Sequence, residues 1–260
     1  MHYSQTKLVR LVLSLVLLTS LTIAQKTKDY EESYSFSSTG TVSVDTYKGS
    51  ITVETWNKDE VYFHAVVEPD TDGWNPTSPE EQLERCEVRV NYSENYLSLE
   101  SDYKESHGWG SSNRAFVHYT IKMPATAELK IDDYKSDTKI NNLISDLDLE
   151  TYKGRVSINN FSGKLNLETY KGDVNVGYTE LKENCSFDTY KGEVTLSLPS
   201  KAKFNFDFEM GKKGDYSSDF DMMLKKYDSD DGDFKGQVNG GGATIKFSTY
   251  KGEISLRERN

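Results

Sequence analysis

The chain has 260 residues, 35% hydrophobic and 28% charged, and its 31 Lys and Arg stand against 42 Asp and Glu for a formal net charge of −11. That length is ample for a buried core. The acidity argues against nucleic acid, whose phosphates need basic patches, and against anionic membrane surfaces.

The first residues read as a leader. Lys7 and Arg10 precede an apolar run over 11–18, and Thr22 and Ala24 stand at the −3 and −1 positions of a small-residue cleavage site. This is the pattern of a secretory signal peptide spanning 1–24. The apolar run is too short for a comfortable membrane span, a signal anchor being the alternative to cleavage, and no other stretch could cross as a helix. No cysteine lies at the cleavage site for lipid attachment. The mature chain is therefore expected in an extracytoplasmic space: periplasm, cell surface or medium. Residues 1–24 hold two basic and no acidic side chains, so the remainder carries 29 basic against 42 acidic groups, a net of −13.

Residues 25–124 are less regular than residues 125–260. Val42, Val44 and Thr46, then Ile51 and Val53 beyond Tyr47-Lys48-Gly49, alternate as two short strands around a corner. Stretches 61–67, 86–92, 96–101 and 115–123 read as longer strands, expected to be antiparallel. One short helix is predicted over Pro79–Arg85: Ser78 can cap it, Pro79 suits the first turn and Glu81 completes a capping box. Trp74 and the 106–113 stretch with Trp109 fall in polar loops.

From 125 to 260 the chain repeats itself. Thr-Tyr-Lys-Gly begins at Thr46, Thr151, Thr169, Thr189 and Thr249, with a degenerate copy at Asp133-Tyr134-Lys135-Ser136. Tyr134, Tyr152, Tyr170 and Tyr190 are 18, 18 and 20 residues apart, and Tyr250 follows Tyr190 by 60. A short fixed period marks stacked coils, none of which can bury its apolar face alone. The predicted fold is all-β: a parallel β-solenoid, β-helix-like, with 18–20-residue coils, in a single elongated domain over 25–260. The inward ladder reads Leu147/Leu149, Leu165/Leu167, Cys185/Phe187, Phe206/Phe208 and Ile245/Phe247. Beyond the corner it reads Val156/Ile158, Val174/Val176, Val194/Leu196 and Ile254/Leu256. Parity switches across Tyr-Lys-Gly, which calls for a corner where glycine supplies a positive φ. Glu209 to Gly214 fits as a worn corner, and 228–242 as an acidic, glycine-rich excursion.

Stacking forces columns. Tyr152, Tyr170 and Tyr190 share one, and Lys153, Lys171 and Lys191 the next. Asp132, Glu150, Glu168 and Asp188 lie two residues before the tyrosines, and acid and tyrosine both point outward. Acid and lysine columns side by side would offset their like-charge repulsion. The tyrosines read as a structural ladder; the functional alternative is an aromatic and charged strip for glycan or protein contact. Tyr152, Lys153, Tyr170, Lys171, Tyr190 and Lys191 are the candidate binding residues.

Chemistry is otherwise sparse. His64, His107 and His118 are dispersed, with no His-x-x-x-His pair, so no metal and no cofactor is expected. Nucleophile elbow, phosphate loop and dinucleotide fingerprint are all missing. Asp228 to Asp233 resembles a calcium loop, but its glycine is fifth rather than sixth and Asn239 stands where the closing glutamate belongs. Both cysteines sit in phase with apolar neighbours and read as buried thiols; export permits a Cys86–Cys185 disulfide as the alternative.

The opening Gly40-Thr41-Val42-Ser43-Val44, the serial strand-corner-glycine-strand units, Leu198-Pro199, the 240–245 segment and the ending Gly252-Glu253-Ile254-Ser255-Leu256 together resemble the bacterial "putative adhesin" family. The resemblance covers nearly all of the mature chain. It implies an exported β-solenoid and carries no catalytic or ligand residues with it. The function expected is a non-enzymatic, adhesin-like binding or scaffold protein of the envelope, with an envelope polysaccharide or protein as partner. The alternatives are a carbohydrate-active enzyme working beside loops 68–84, 102–114 and 212–242, and a purely structural or sensory envelope protein.

Overall fold

The computed structural model describes residues 26–72, 77–104, 114–228 and 232–259. The leader, Trp74, the 106–113 stretch with His107, and 229–231 of the calcium-like loop lie outside them.

Each repeat folds as two strands meeting at a corner. Strands β8 (Leu147–Lys153) and β9 (Val156–Phe161) make one coil, β10 (Leu165–Lys171) and β11 (Val174–Tyr178) the next, and β12 (Cys185–Lys191) and β13 (Glu193–Pro199) a third. In β2 (Thr41–Trp56) and β7 (Glu128–Asn141) the strand runs through the corner unbroken. Like strands pair in parallel and in register, Leu149↔Leu167↔Phe187 before the corner and Ile158↔Val176↔Leu196 after it. All six side chains are 1% exposed or less. Burial of such a side chain is worth about 1.5–3 kcal/mol, so the ladder sets the register. The parity switch is present: Thr151 and Val156 are both buried, with Gly154 at φ 141° between them.

The glycines are needed for close approach as much as for backbone angle. Gly172 does not adopt a positive φ, contrary to the sequence expectation. A Cβ on Gly172 would nevertheless lie 1.9 Å from the carbonyl oxygen of Gly154 in the coil beside it. Stacked coils thus meet backbone to backbone at this corner.

Chain order and stack order differ at both ends. The first coil, β2, lies between β7 and the pair β5 (Tyr96–Tyr103) and β6 (Phe116–Pro124). The last coil, β18 (Ala243–Thr249) with β19 (Glu253–Arg259), lies between β12/β13 and the pair β14 (Phe204–Glu209) and β15 (Asp215–Ser218). Phe206/Phe208 therefore does not follow Cys185/Phe187 directly; Ile245/Phe247 is inserted between them. The worn corner is a 3-10 turn at Gly211–Lys213, leading from β14 to β15.

The sheet is mixed rather than purely parallel, which corrects the expected parallel solenoid. Antiparallel strands close both ends. One end carries β3 (Glu60–Glu68) on β6, β1 (Lys28–Ser35) on β3 and β4 (Cys86–Ser93) on β5. The other carries β17 (Asp233–Val238) on β14 and β16 (Met223–Asp228) on β17. Part of the expected 228–242 excursion is thus a strand. Such caps cover sheet edges that would otherwise recruit other chains. Helix α1 spans Pro79–Arg85 as predicted, with the Ser78 hydroxyl accepting from Glu81 N at 3.2 Å. The capping box is not closed, because the Glu81 carboxylate turns to Arg85 at 2.5 Å.

Candidate functional site

The corner columns are real and continuous. Tyr47, Tyr134, Tyr152, Tyr170, Tyr190 and Tyr250 stack in one file, with successive ring centroids 4.7 to 5.1 Å apart and planes within 7° of parallel. That separation matches the ~4.8 Å strand spacing, so the backbone itself sets the ladder's pitch. Cations lie over both end faces. The Arg114 guanidinium sits 4.2 Å from the Tyr47 ring centre and 5.1 Å from that of Tyr103, which meets Tyr47 edge to face, and Lys213 Nζ lies 5.8 Å from Tyr250. Ring faces are consumed inside the ladder. The flat aromatic surface imagined for sugar contact is thus unavailable; ring edges and hydroxyls face outward, with Tyr170 and Tyr190 42% and 44% exposed.

One residue before each tyrosine, a threonine points inward. Thr46, Thr151, Thr169, Thr189 and Thr249 are all buried. Asp133 takes this place in the degenerate copy. It accepts from Lys135 N, from Ser136 N and from the Thr151 hydroxyl at 2.7 Å. Burial nevertheless raises its pKa above the ordinary aspartate value.

Two residues before each tyrosine runs the acid row. Asp45 pairs with Glu100 on one side and Asp132 on the other, and the row continues through Glu150, Glu168 and Asp188. Partial burial and the flanking carboxylates raise the pKa values of Asp45 and Glu150. Acid row and tyrosine edges form the two walls of a groove of about 640 Å³ whose lining includes Thr46, Thr151 and Thr169. The Thr169 hydroxyl is buried without a hydrogen-bond partner.

One residue after the tyrosines come Lys135, Lys153, Lys171 and Lys191, paired in register. Lysine and acid rows do not offset one another as expected. The ladder separates them, and among the described residues none of Lys153, Lys171, Lys191, Glu150, Glu168 or Asp188 has an ion pair within 4 Å. Lys48 departs from the lysine row. It is buried, 2.5 Å from Asp70 and 4.1 Å from the Phe116 ring centre. Arg155, beside the row, pairs with Asp137 at 2.8 Å.

Both cysteines are free and buried, as the buried-thiol reading expects, and the alternative Cys86–Cys185 bridge is not formed. Six strand-to-strand steps, from β4 through β5, β2, β7, β8 and β10 to β12, separate them. At ~4.8 Å per step they lie roughly 29 Å apart, far beyond disulfide reach. Burial pushes both thiols up to about 12. The remaining histidines are paired at the surface, His64 with Asp29 at 3.0 Å and His118 with Ser50 at 2.9 Å. Among the described residues no group of three or more His, Cys, Asp or Glu is placed to hold a metal ion. No helix among them is long and apolar enough to cross a membrane.

Fold and site together define a β-solenoid-like, all-β protein with an aromatic spine flanked by two rows of opposite charge. The family model described as Toastrack DUF4097 matches residues 21–257, and the chain belongs to that family. Among solved structures, a protein from Clostridium sporogenes described as a "putative cell adhesion protein" is similar, at 13% identity and TM-score 0.54 over 90% of this chain and 100% of that one. A "putative adhesin" from Bacteroides fragilis has 15% identity and TM-score 0.46 over 89% and 97% of the respective chains. A "putative lipid binding protein" from Parabacteroides distasonis has 10% identity and TM-score 0.23 over 89% and 97%. No protein of curated function matches the chain.

Proposed function

We propose that this protein is an exported, non-enzymatic, adhesin-like binding or scaffold protein of the cell envelope, and that its binding surface is the strip formed by the acid row, the tyrosine ladder and the lysine row. One observation supports this most. The same outward chemistry recurs at every coil between Asp132 and Lys191, at a pitch set by the backbone. A recurring array turns weak single contacts into strong binding, because each added contact is intramolecular once the first has formed. A purely structural ladder needs stacked rings but no rows of unpaired charge on either side of them. The adhesion named for the Clostridium protein accords with this reading.

The test is retention of purified protein on immobilised envelope fractions. Wild type should be retained. Glu150→Gln/Glu168→Gln/Asp188→Asn and Lys153→Gln/Lys171→Gln/Lys191→Gln should each weaken retention while the β-rich circular dichroism spectrum stays intact. Equal retention of all three proteins would remove the strip from function. Export predicts that protein recovered from the envelope or medium begins near Gln25. Turnover of any polysaccharide in a panel would replace the non-enzymatic reading with the carbohydrate-active one.

A further inference from the structure

The acid and lysine rows are two combs of one pitch and opposite sign, one on either side of the tyrosine ladder. Glu150, Glu168 and Asp188 are partners in register on successive strands, as are Lys153, Lys171 and Lys191. None has an ion partner among the described residues. Each comb lines a depression. The acids border the 640 Å³ groove, and the lysines border one of 380 Å³ beside Gly154, Gly172 and Gly192, where Asp173 and the Arg155–Asp137 pair also lie and leave the lysines in excess. The tyrosine ladder is the ridge between them. Across the strip the order is acid, tyrosine, lysine.

We infer that the partner of this strip is a second copy of the same chain, packed face to face about a two-fold axis that runs parallel to the stack. The inference rests on the strip being the binding surface and names what binds there. A two-fold axis in that direction reverses the order across the strip and preserves direction along it. The acid comb of each copy then meets the lysine comb of the other, twice, as an isologous interface requires. A two-fold axis lying across the strip would set acid against acid, which repels. Pitch is matched automatically, since both combs are built on the same ~4.8 Å strand spacing. An unrelated partner would need both signs at that spacing in two lines; this chain already carries them. Rows of like charge also disfavour the isolated molecule: the carboxyl of Glu150 is already pushed up by partial burial and by Asp132 and Glu168. Opposed lysines relieve that repulsion.

Charge exchange tests this directly. In Glu150→Lys/Glu168→Lys/Asp188→Lys both combs are basic; in Lys153→Glu/Lys171→Glu/Lys191→Glu both are acidic. Sedimentation velocity and light scattering on purified protein should give a two-chain mass for wild type and a one-chain mass for each variant. An equimolar mixture of the two variants should recover the two-chain mass, with one copy of each. Recovery shows that both variants are folded. A monomeric wild type, variants that still dimerise, or a mixture of folded variants that stays monomeric would each overturn the inference. Envelope retention is scored separately. A monomer that is retained through the strip defeats self-association alone, whereas a dimer that is not retained defeats only the envelope-binding role.

Discussion

Three glycine substitutions separate backbone strain from coil-to-coil contact. Gly240 adopts φ 89°, and nothing lies within 4 Å of a Cβ built on it. Gly240→Ala therefore carries strain alone, about 1 kcal/mol. Gly172 has no such φ, but its Cβ would stand 1.9 Å from the Gly154 carbonyl oxygen. The Cβ is fixed rigidly to its backbone, the oxygen is itself a backbone atom, and both coils are paired on their other sides. Gly172→Ala should then cost more than about 3 kcal/mol, the upper end of the overpacking range. Gly154 combines φ 141° with a Cβ 1.8 Å from the Ser136 carbonyl oxygen, so Gly154→Ala should be the worst of the three. In a domain of this size each kcal/mol moves Tm by roughly 2–4 °C. Thermal melts followed by circular dichroism should rank wild type, Gly240→Ala, Gly172→Ala and Gly154→Ala in falling order, the last two set well below the second. Gly172→Ala melting with or above Gly240→Ala would refute the close stacking of coils at this corner.

Leu167, 1% exposed between Leu149 and Phe187, should lose about 2–5 kcal/mol on truncation to alanine, measured by urea titration, whereas exposed Asn175→Ser should stay within about 0.5 kcal/mol. A reversed ranking would mean that the faces are inverted. Glu150 has its folded pKa raised, so its contribution favours the fold below the ordinary carboxylate value of 4.5 and is lost as pH rises through the folded value. At protein concentrations where the chain sediments as a single copy, Glu150→Gln should therefore stabilise it by roughly 0.2–1 kcal/mol at neutral pH, a gain that disappears below that carboxylate value; an unchanged neutral-pH melt of the single-copy species would count against repulsion along the row. Cys86 and Cys185, pushed up to about 12, should resist a thiol reagent in native protein, and without reductant both should react once denaturant is added. No labelling of the unfolded chain would restore the disulfide.

Strand faces were readable because alternation and the coil period agree. Leu149, Leu167 and Phe187 need only be aligned on Tyr-Lys-Gly to fall on one inward line, and so they do. Helix α1 was readable because Ser78 and Pro79 act locally. Strand β1 is not legible in the sequence, because its burial pattern follows no strict alternation and it packs only as an outer cap on β3. The acid–lysine relation is not legible in the sequence either. Nearness in sequence suggested nearness in space, but the corner turns between position −2 and position +1 and leaves the tyrosine ridge between the two rows.

Stack order at the ends was hidden because the inward ladder is degenerate. Phe206/Phe208 and Ile245/Phe247 are equally good neighbours for Cys185/Phe187 by size and apolarity, and chain order favours the first. Condition of the corner motif carries the missing information. A tyrosine stacked on the previous ring and covered on its far side has reason to remain a tyrosine, while an end coil has no further ring to support. The intact Thr249-Tyr250-Lys251-Gly252 therefore belongs inside, stacked on Tyr190 at 5.1 Å. The worn 209–214 corner belongs outside it, where Lys213 approaches the last ring and no tyrosine is needed. The other end obeys the same rule. Tyr47 lies inside on Tyr134, and the outermost coil, β5 to β6, covers it with Tyr103 and Arg114 in place of the motif. In a solenoid of this kind, loss of the corner tyrosine marks the ends of the stack rather than the ends of the chain; the degenerate 133–136 corner inside the stack keeps its Tyr134.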